Sequence, residues 1–118
     1  MKASRGEIKI SELLTLNNMD FEEEYIFPDL ISNTGRPLRF DFCVFDDAGD
    51  IDFLIEYQGI QHYEAKSIYG GDAGFRKQQQ YDIRKRIYCK EHGYTLIEIP
   101  YWDESRITFD YIMRAAGY

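Results

Sequence analysis

Residues 39–62 read RFDFCVFDDAGDIDFLIEYQGIQH, and this stretch decides the fold. Apolar residues dominate 39–45 and 51–57 and recur at every second position in much of both runs, which is the period of a β-strand. The segment 46–50 between them is rich in Asp and contains a glycine, as is typical of a turn. The stretch therefore predicts a hairpin of two short strands.

The alternation also predicts which residues of the hairpin face each other. The apolar set consists of Phe40, Phe42 and Val44 in the first strand and Ile51, Phe53, Ile55 and Tyr57 in the second. If this set shares one face, the residue numbers of each cross-strand pair must add up to an odd number. Asp41 then lies beside Glu56 rather than Ile55. The alternative is a turn with a β-bulge, which would shift this register.

The remaining chain supplies helices and further strands around this hairpin. Ser4 and Glu7 fit the S-x-x-E capping box of a helix start, Pro28 closes a strand that is expected at a sheet edge, and Gly93 ends a helix. Ser105 or Thr108 can cap a last short helix that reaches about Ala116. The predicted segments are a helix over 4–17, a strand over 21–27, a loop over 28–38, an irregular loop over 59–74, a helix over 75–92 and a strand over 94–99. The order is α-β-β-β-α-β-α.

Length and composition predict one domain over residues 1–118. A chain of 118 residues with 44% apolar and 16% aromatic residues can form one hydrophobic core and is too short for two. It has no apolar run of about 18 residues and no apolar signal segment at its start, so we expect an intracellular protein without a membrane partner. Cys43 and Cys89 lack the spacing of a zinc site and are expected to be buried thiols.

The net charge of −7 argues against a protein that coats nucleic acid through bulk electrostatics. Basic residues nevertheless cluster in the predicted helix 75–92. They are candidates for contacts with DNA phosphates, although a charged helix face is more often simply solvated. The candidates are Arg76, Lys77, Arg84, Lys85 and Lys90.

Asp41 and Glu56 are the candidate metal ligands. Two adjacent buried carboxylates repel each other, and a hard cation such as Mg²⁺ makes the arrangement favourable while it positions a phosphate. The alternative is structural: Asp41 pairs with Arg39 or Arg36 at a sheet edge, and Glu56 is a solvent residue at a strand end.

Three further residues are candidates for the same site, each with a structural alternative. Glu7 lies on the inner stripe of the first helix, where it can support a metal or its water, or it merely completes the capping box. His62 follows a strand end, where it can transfer a proton or pack at the surface. Asp82 can orient His62, or it forms an intrahelical ion pair with Lys85 or Arg86.

These residues together resemble the PD-(D/E)XK nuclease superfamily. Within it, the chain looks like the branch related to very-short-patch repair endonucleases, whose homing-endonuclease members carry an E-D-x-H-D signature. The likeness covers about residues 4–103 and rests on Glu7, Asp41, Glu56-x-Gln58, His62 and Asp82, and on the segments EYQGIQHYE at 56–64, YGG at 69–71, DIRKRIYCK at 82–90 and IEIPY at 97–101.

The resemblance implies a four-stranded mixed sheet flanked by helices and hydrolysis of DNA phosphodiesters with Mg²⁺ or Mn²⁺. Asp41 would be the principal metal ligand, Glu7 and Glu56 would support the metal or its water, His62 would act in proton transfer and Asp82 would complete the site. Gln58 stands where the superfamily often has Lys and where close relatives of this branch often have Asp; a glutamine there can orient water or phosphate.

The expected function is a metal-dependent DNA endonuclease, similar to homing endonucleases and from a phage or mobile element. A catalytic domain without a separate DNA-recognition region would need a homodimer or a partner protein for long-site specificity. The alternatives are a Holliday-junction resolvase and a catalytically inactive module that binds DNA or a protein.

Overall fold

Seven helices and strands follow each other along residues 3–118, the part of the chain that the computed structural model describes. Their order is the predicted α-β-β-β-α-β-α. They are α1 (Arg5–Leu16), β1 (Asp20–Ile31), β2 (Pro37–Phe45), β3 (Ile51–Gln58), α2 (Gly71–His92), β4 (Thr95–Pro100) and α3 (Phe109–Ala115). Short 3₁₀ turns lie at Ile60–His62, Ser67–Tyr69 and Tyr101–Arg106.

The four strands form one mixed sheet in the order β1-β2-β3-β4, which confirms the predicted four-stranded mixed sheet. β2 is antiparallel to both β1 and β3, whereas β3 and β4 are parallel and are connected through α2. Because a crossover is needed between parallel strands, α2 packs back onto the sheet. β1 is an edge strand, as predicted.

The register of the central hairpin is also as predicted. Phe42 pairs with Ile55 and Val44 with Phe53, so paired positions add up to an odd number. A bulge does occur, but it lies after Val44, next to the turn. It therefore leaves the Asp41 end of the hairpin in the predicted register.

Two apolar clusters cover the two faces of the sheet. The first joins α1 and α3 to the sheet through Ile10, Leu14, Phe42, Val44, Phe53, Ile55, Tyr57, Ile97, Ile99, Ile107 and Ile112. The second joins α2 to the sheet through Phe27, Leu30, Leu38, Phe40, Cys43, Leu54 and Cys89. Both cysteines are buried free thiols, as expected.

One face assignment from the alternation is wrong. Phe40 packs in the second cluster, while Phe42 and Val44 pack in the first. The change of side occurs across Asp41, just where the regular pairing between β2 and β3 ends at Phe42. A period-2 pattern assumes an uninterrupted ladder, and here the ladder stops.

Two predicted boundaries are also wrong. β1 continues through Pro28 to Ile31, because an edge strand tolerates a residue without an N–H, and its pairing with β2 becomes irregular after Ile26. α2 begins at Gly71 instead of residue 75, so the glycines assigned to a loop form the first helical turn. Gly74 permits this start, because a Cβ there would lie 2.0 Å from the Tyr69 carbonyl oxygen.

The other helix ends follow the sequence closely. Ser4 caps α1, Thr108 rather than Ser105 caps α3, and Gly93 ends α2 with a left-handed φ of 73°. Within residues 3–118, no helix has the length and apolar character needed to span a membrane.

Candidate active site

The strands β2 and β3 separate beyond the Phe42–Ile55 pair, and two carboxylates occupy the fork between them. The backbone N–H of Tyr57 donates to Asp41 Oδ2 at 2.7 Å, and the backbone N–H of Asp41 donates to Glu56 Oε2 at 3.4 Å. Each carboxylate thus satisfies a backbone donor that the ladder no longer pairs. The predicted meeting of Asp41 and Glu56 is present in the structure.

A cavity of about 390 Å³ opens at this fork. Its wall is rich in charged and polar side chains from both faces of the sheet. The lining residues include Glu7, Glu23, Glu24, Arg39, Asp41, Glu56, Gln61, His62, Gln78 and Lys85. Four of the six residues predicted to act in catalysis, namely Glu7, Asp41, Glu56 and His62, therefore share one cavity.

Glu7 reaches the cavity because α1 lies very close to β3. A Cβ on Gly6 would lie 2.2 Å from Tyr57 Cζ, so only a glycine allows this approach. Glu7 also serves the helix start, since its N–H donates to Ser4 Oγ at 3.2 Å and its carboxylate accepts from the Ser4 hydroxyl at 3.0 Å. The structural and the chemical alternatives for Glu7 are thus compatible.

His62 is held by Asp82, as predicted. His62 Nδ1 and Asp82 Oδ2 are 2.8 Å apart, and the two side chains are 9% and 8% exposed. Gln78 completes the arrangement by donating to Asp82 Oδ1 at 3.0 Å. Gln78 is not among the site residues predicted from the sequence, although its position four residues before Asp82 on one helix places it on the same stripe.

Lys85 contradicts its assignment to a DNA-contacting helix face. It is buried, its ammonium forms an ion pair with Glu56 Oε1, and it lies 5.5 Å from the centre of the Phe40 ring. The structural alternative for Asp82, an intrahelical ion pair with Lys85 or Arg86, is not what the structure has, because Asp82 bonds to His62 and Gln78 instead. A signal was present in the sequence, because Lys85 lies three residues after Asp82 and four before the buried Cys89.

The other basic residues of α2 lie away from this inner stripe. Arg76, Lys77 and Lys90 are exposed. Arg84 donates to the Ile31 carbonyl and, at 3.4 Å, to Asn33 Oδ1, so it anchors the loop between β1 and β2. Their role in binding DNA stays a prediction.

Gln58 is the predicted site residue that the structure places elsewhere. Its side chain is buried but does not line the cavity. Its amide donates to Glu98 and accepts from the Tyr63 hydroxyl at 2.6 Å. Gln58 therefore contacts a neighbouring polar network rather than the two carboxylates.

The charge balance of the fork is uneven. Burial, and then repulsion by and hydrogen bonding to Glu56, raise the pKa of Asp41 to about 9, while the Tyr57 N–H lowers it and Glu7 raises it further. Lys85 supplies one positive charge against two carboxylates. Without a further cation, one carboxylate must retain a proton at neutral pH.

This donor set fits a hard divalent cation. Mg²⁺ binds carboxylate oxygens and keeps several waters, so it needs one or two protein carboxylates rather than a complete cage. The described residues contain no group of three or more His, Cys, Asp or Glu side chains arranged to hold a metal. Asp41 and Glu56 could hold the ion, with Glu7 nearby.

Comparisons with known proteins identify only uncharacterized viral relatives. The chain is 44% identical over 71 residues to uncharacterized protein 094L of Frog virus 3 (isolate Goorha), covering 58% of this chain and 43% of that protein. It is 34% identical to uncharacterized protein 033L of Invertebrate iridescent virus 3, covering 83% and 50% of the two chains, and 32% identical to uncharacterized protein 307L of Invertebrate iridescent virus 6, covering 63% and 40%. The aligned region thus spans half or less of each relative. No protein-family model and no solved structure matches the chain.

Proposed function

We propose that this chain is a metal-dependent DNA endonuclease domain whose active site is the fork between β2 and β3. The observation that carries the proposal is the pair formed by the partly buried Asp41 and the buried Glu56. The pair meets at the end of a β-ladder, beside a buried Lys85 and in the same cavity as His62. Structural ion pairs rarely need two carboxylates at one fork, whereas phosphoryl chemistry uses them to hold a cation.

The finer assignment of the fold, a PD-(D/E)XK-like core, is part of the same proposal. It is supported by the element order, by the parallel pairing of β4 with β3, and by the position of the carboxylates on the two central strands. The membership itself rests on the sequence resemblance.

Each side chain of the cavity has a defined role in this proposal. Asp41 and Glu56 would hold Mg²⁺ or Mn²⁺, and the bound ion would supply a nucleophilic water and polarise the phosphate. The Lys85 ammonium lies where it can stabilise negative charge on the phosphate. It thereby supplies the positive charge that Gln58 lacks.

His62 is suited to protonate the leaving 3′ oxygen. Asp82 binds Nδ1, which fixes the orientation of the ring and leaves Nε2 for the substrate. The imidazolium gives its Nε2 proton to the oxygen as the phosphorus–oxygen bond breaks. A positioned acid of this kind accelerates such reactions by about 10²–10⁴-fold.

The test is cleavage of DNA by the purified chain in Mg²⁺ or Mn²⁺. Supercoiled, linear and four-way-junction DNA should be compared, with Asp41→Asn as the inactive variant and Asp47→Asn, the same change at an exposed turn position, as the matched control. We expect the wild type and Asp47→Asn to cleave and Asp41→Asn to fail. Equal activity of all three, or no cleavage of any DNA by the wild type, would overturn the proposal.

An inactive binding module is the second candidate, and one observation favours it. Lys85 already occupies Glu56 Oε1, so a cation must compete with an existing ion pair. Calorimetry with Mg²⁺ separates the two functions, because the nuclease must bind the ion through Asp41 and the binding module need not. Preference for junction DNA in the cleavage test would instead identify a Holliday-junction resolvase.

A further inference from the structure

A second polar network lies next to the cavity and connects four parts of the fold. The Tyr63 hydroxyl donates to Gln58 Oε1 at 2.6 Å, and Gln58 Nε2 donates to Glu98 Oε2. Arg86 closes the network with two bonds to Glu98, at 2.6 and 2.7 Å. Side chains of β3, the loop after it, α2 and β4 are thereby joined in one network.

The loop that carries His62 depends on such side-chain bonds. The backbone N–H groups of His62, Tyr63 and Glu64 donate to Gly59 and Ile60 at 3.0–3.1 Å, within the same loop. These bonds shape the turn but do not attach it to the sheet or to α2. The attachment by hydrogen bonds comes from His62 to Asp82 and from Tyr63 to Gln58.

The two attachments converge on one helix. Asp82 and Arg86 are four residues apart on α2. Asp82 holds His62 directly, whereas Arg86 holds the next residue, Tyr63, through Glu98 and Gln58. Residues at this spacing lie on the same helix face. The imidazole of His62 is thus fixed both at its ring and at the following residue.

A glutamine is the side chain that position 58 needs for this link. Its amide accepts from a hydroxyl and donates to a carboxylate at the same time, whereas lysine has donors only and glutamate has acceptors only. The departure from the lysine of the PD-(D/E)XK pattern therefore has a physical reason in this chain.

We propose that Gln58 and Tyr63 are positioning residues that hold His62 in its catalytic orientation through Glu98 and Arg86. The inference rests on the proposed function of His62 and adds a role for two residues that do not line the cavity. A displacement of about 1 Å of a catalytic group can cost about 10²-fold in rate. Losing the Tyr63 hydroxyl should therefore lower kcat by about ten- to hundredfold and leave KM unchanged.

Tyr63→Phe tests the proposal with the smallest change, since it keeps the ring that packs against Tyr101 and Trp102. Tyr69→Phe, at a half-exposed tyrosine in the same segment between β3 and α2, is the matched control. The chain has two histidines, so His92→Gln in both backgrounds assigns the His62 signals in ¹⁵N NMR spectra.

The first readout is solvent exchange of the His62 Nδ1 proton, which needs no enzymatic activity. We expect exchange to accelerate at least tenfold in Tyr63→Phe and to stay unchanged in Tyr69→Phe. Unchanged exchange in Tyr63→Phe would overturn the proposal. Thermal unfolding of each variant verifies that both remain folded.

The second readout is DNA cleavage. A fall of kcat at constant KM in Tyr63→Phe supports the positioning role, and a kcat equal to that of the wild type contradicts it. If Tyr63→Phe accelerates the exchange but the wild type cleaves no DNA, the positioning of His62 by the network is supported and the nuclease activity is rejected. Gln58→Lys should lower cleavage as well, so a rise in its rate would also contradict the proposal.

Discussion

Replacing Lys85 by Met tests the charge balance of the fork directly. The methionine keeps most of the apolar stem beside Phe40 but removes the ammonium from Glu56, whose side chain is 7% exposed. Breaking a buried ion pair costs about 3–5 kcal/mol, because the remaining charge is left without a partner. We expect a loss of at least about 3 kcal/mol.

Such a loss is a large part of the stability of a domain of this size, about 5–15 kcal/mol. The assay is urea unfolding at pH 7. With a slope of about 1–3 kcal/mol per molar urea, the unfolding midpoint should fall by about 1 M or more. Lys90→Met, the same change at an exposed position of α2, is the control and should stay within about 0.5 kcal/mol of the wild type.

The same urea unfolding should be repeated in the presence of Mg²⁺. In Lys85→Met the carboxylate of Glu56 no longer binds an ammonium, so a divalent ion should stabilise this variant more than it stabilises the wild type. A loss below about 1 kcal/mol would refute the conclusion that Lys85 neutralises a buried carboxylate. Equal stabilisation of both proteins by Mg²⁺ would refute the competition between Lys85 and the metal.

Further predictions concern stability against pH, helix packing and proton transfer. The pKa of Asp41 is raised from an ordinary 3.8 to about 9 in the folded protein, so between these values the folded state binds a proton that the unfolded state lacks. The free energy of unfolding should therefore fall as the pH rises from about 4 to about 9. In urea unfolding, Asp41→Asn should show a weaker dependence of stability on pH than the wild type. Gly6→Ala should cost about 1–3 kcal/mol in thermal unfolding, because its Cβ would overlap the Tyr57 ring, and a neutral result would disprove the close approach of α1. Asp82→Asn should lower kcat by at least about tenfold with little change in stability, so equal cleavage rates would exclude Asp82 as the residue that orients His62.

The sequence predicts the central hairpin well because one of its faces is apolar. A slip of one residue would turn Phe42 and Ile55 towards the wrong side, so the register is strongly specified. Helix ends at Ser4 and Gly93 are predictable for a similar reason, since each satisfies backbone groups that the helix leaves unpaired. Local chemistry determines these features.

The features that escape prediction are those that depend on tertiary contacts. Pro28 and Gly71 are local stop signals, yet an edge position and close packing override them. Phe40 changes face where the ladder ends, and no residue type marks that point. Lys85 is assigned to the solvent because a lysine on a polar helix usually lies there, while the structure places it against a carboxylate from another element.

The side of α2 that faces the sheet carries polar side chains, and this feature bears on function. Gln78, Asp82, Lys85 and Cys89 follow each other at intervals of four, three and four residues, so three polar side chains occupy positions that an ordinary amphipathic helix fills with apolar ones. Along residues 3–118 every buried side-chain nitrogen and oxygen has a hydrogen-bond partner, so none of these polar groups is left unpaired.

A satisfied polar core is nevertheless costly compared with an apolar one of similar volume, and replacing buried ion pairs by apolar residues often raises stability. A sequence selected for folding alone would therefore favour leucine or methionine along this stripe. Local rules of folding are broken mainly at functional sites. Gln78 and Lys85 of this stripe line the cavity that contains Asp41, a carboxyl whose pKa is raised by burial and by Glu56. The residues that lower the stability of the fold are thus the ones to which the proposed function assigns cation binding and proton transfer.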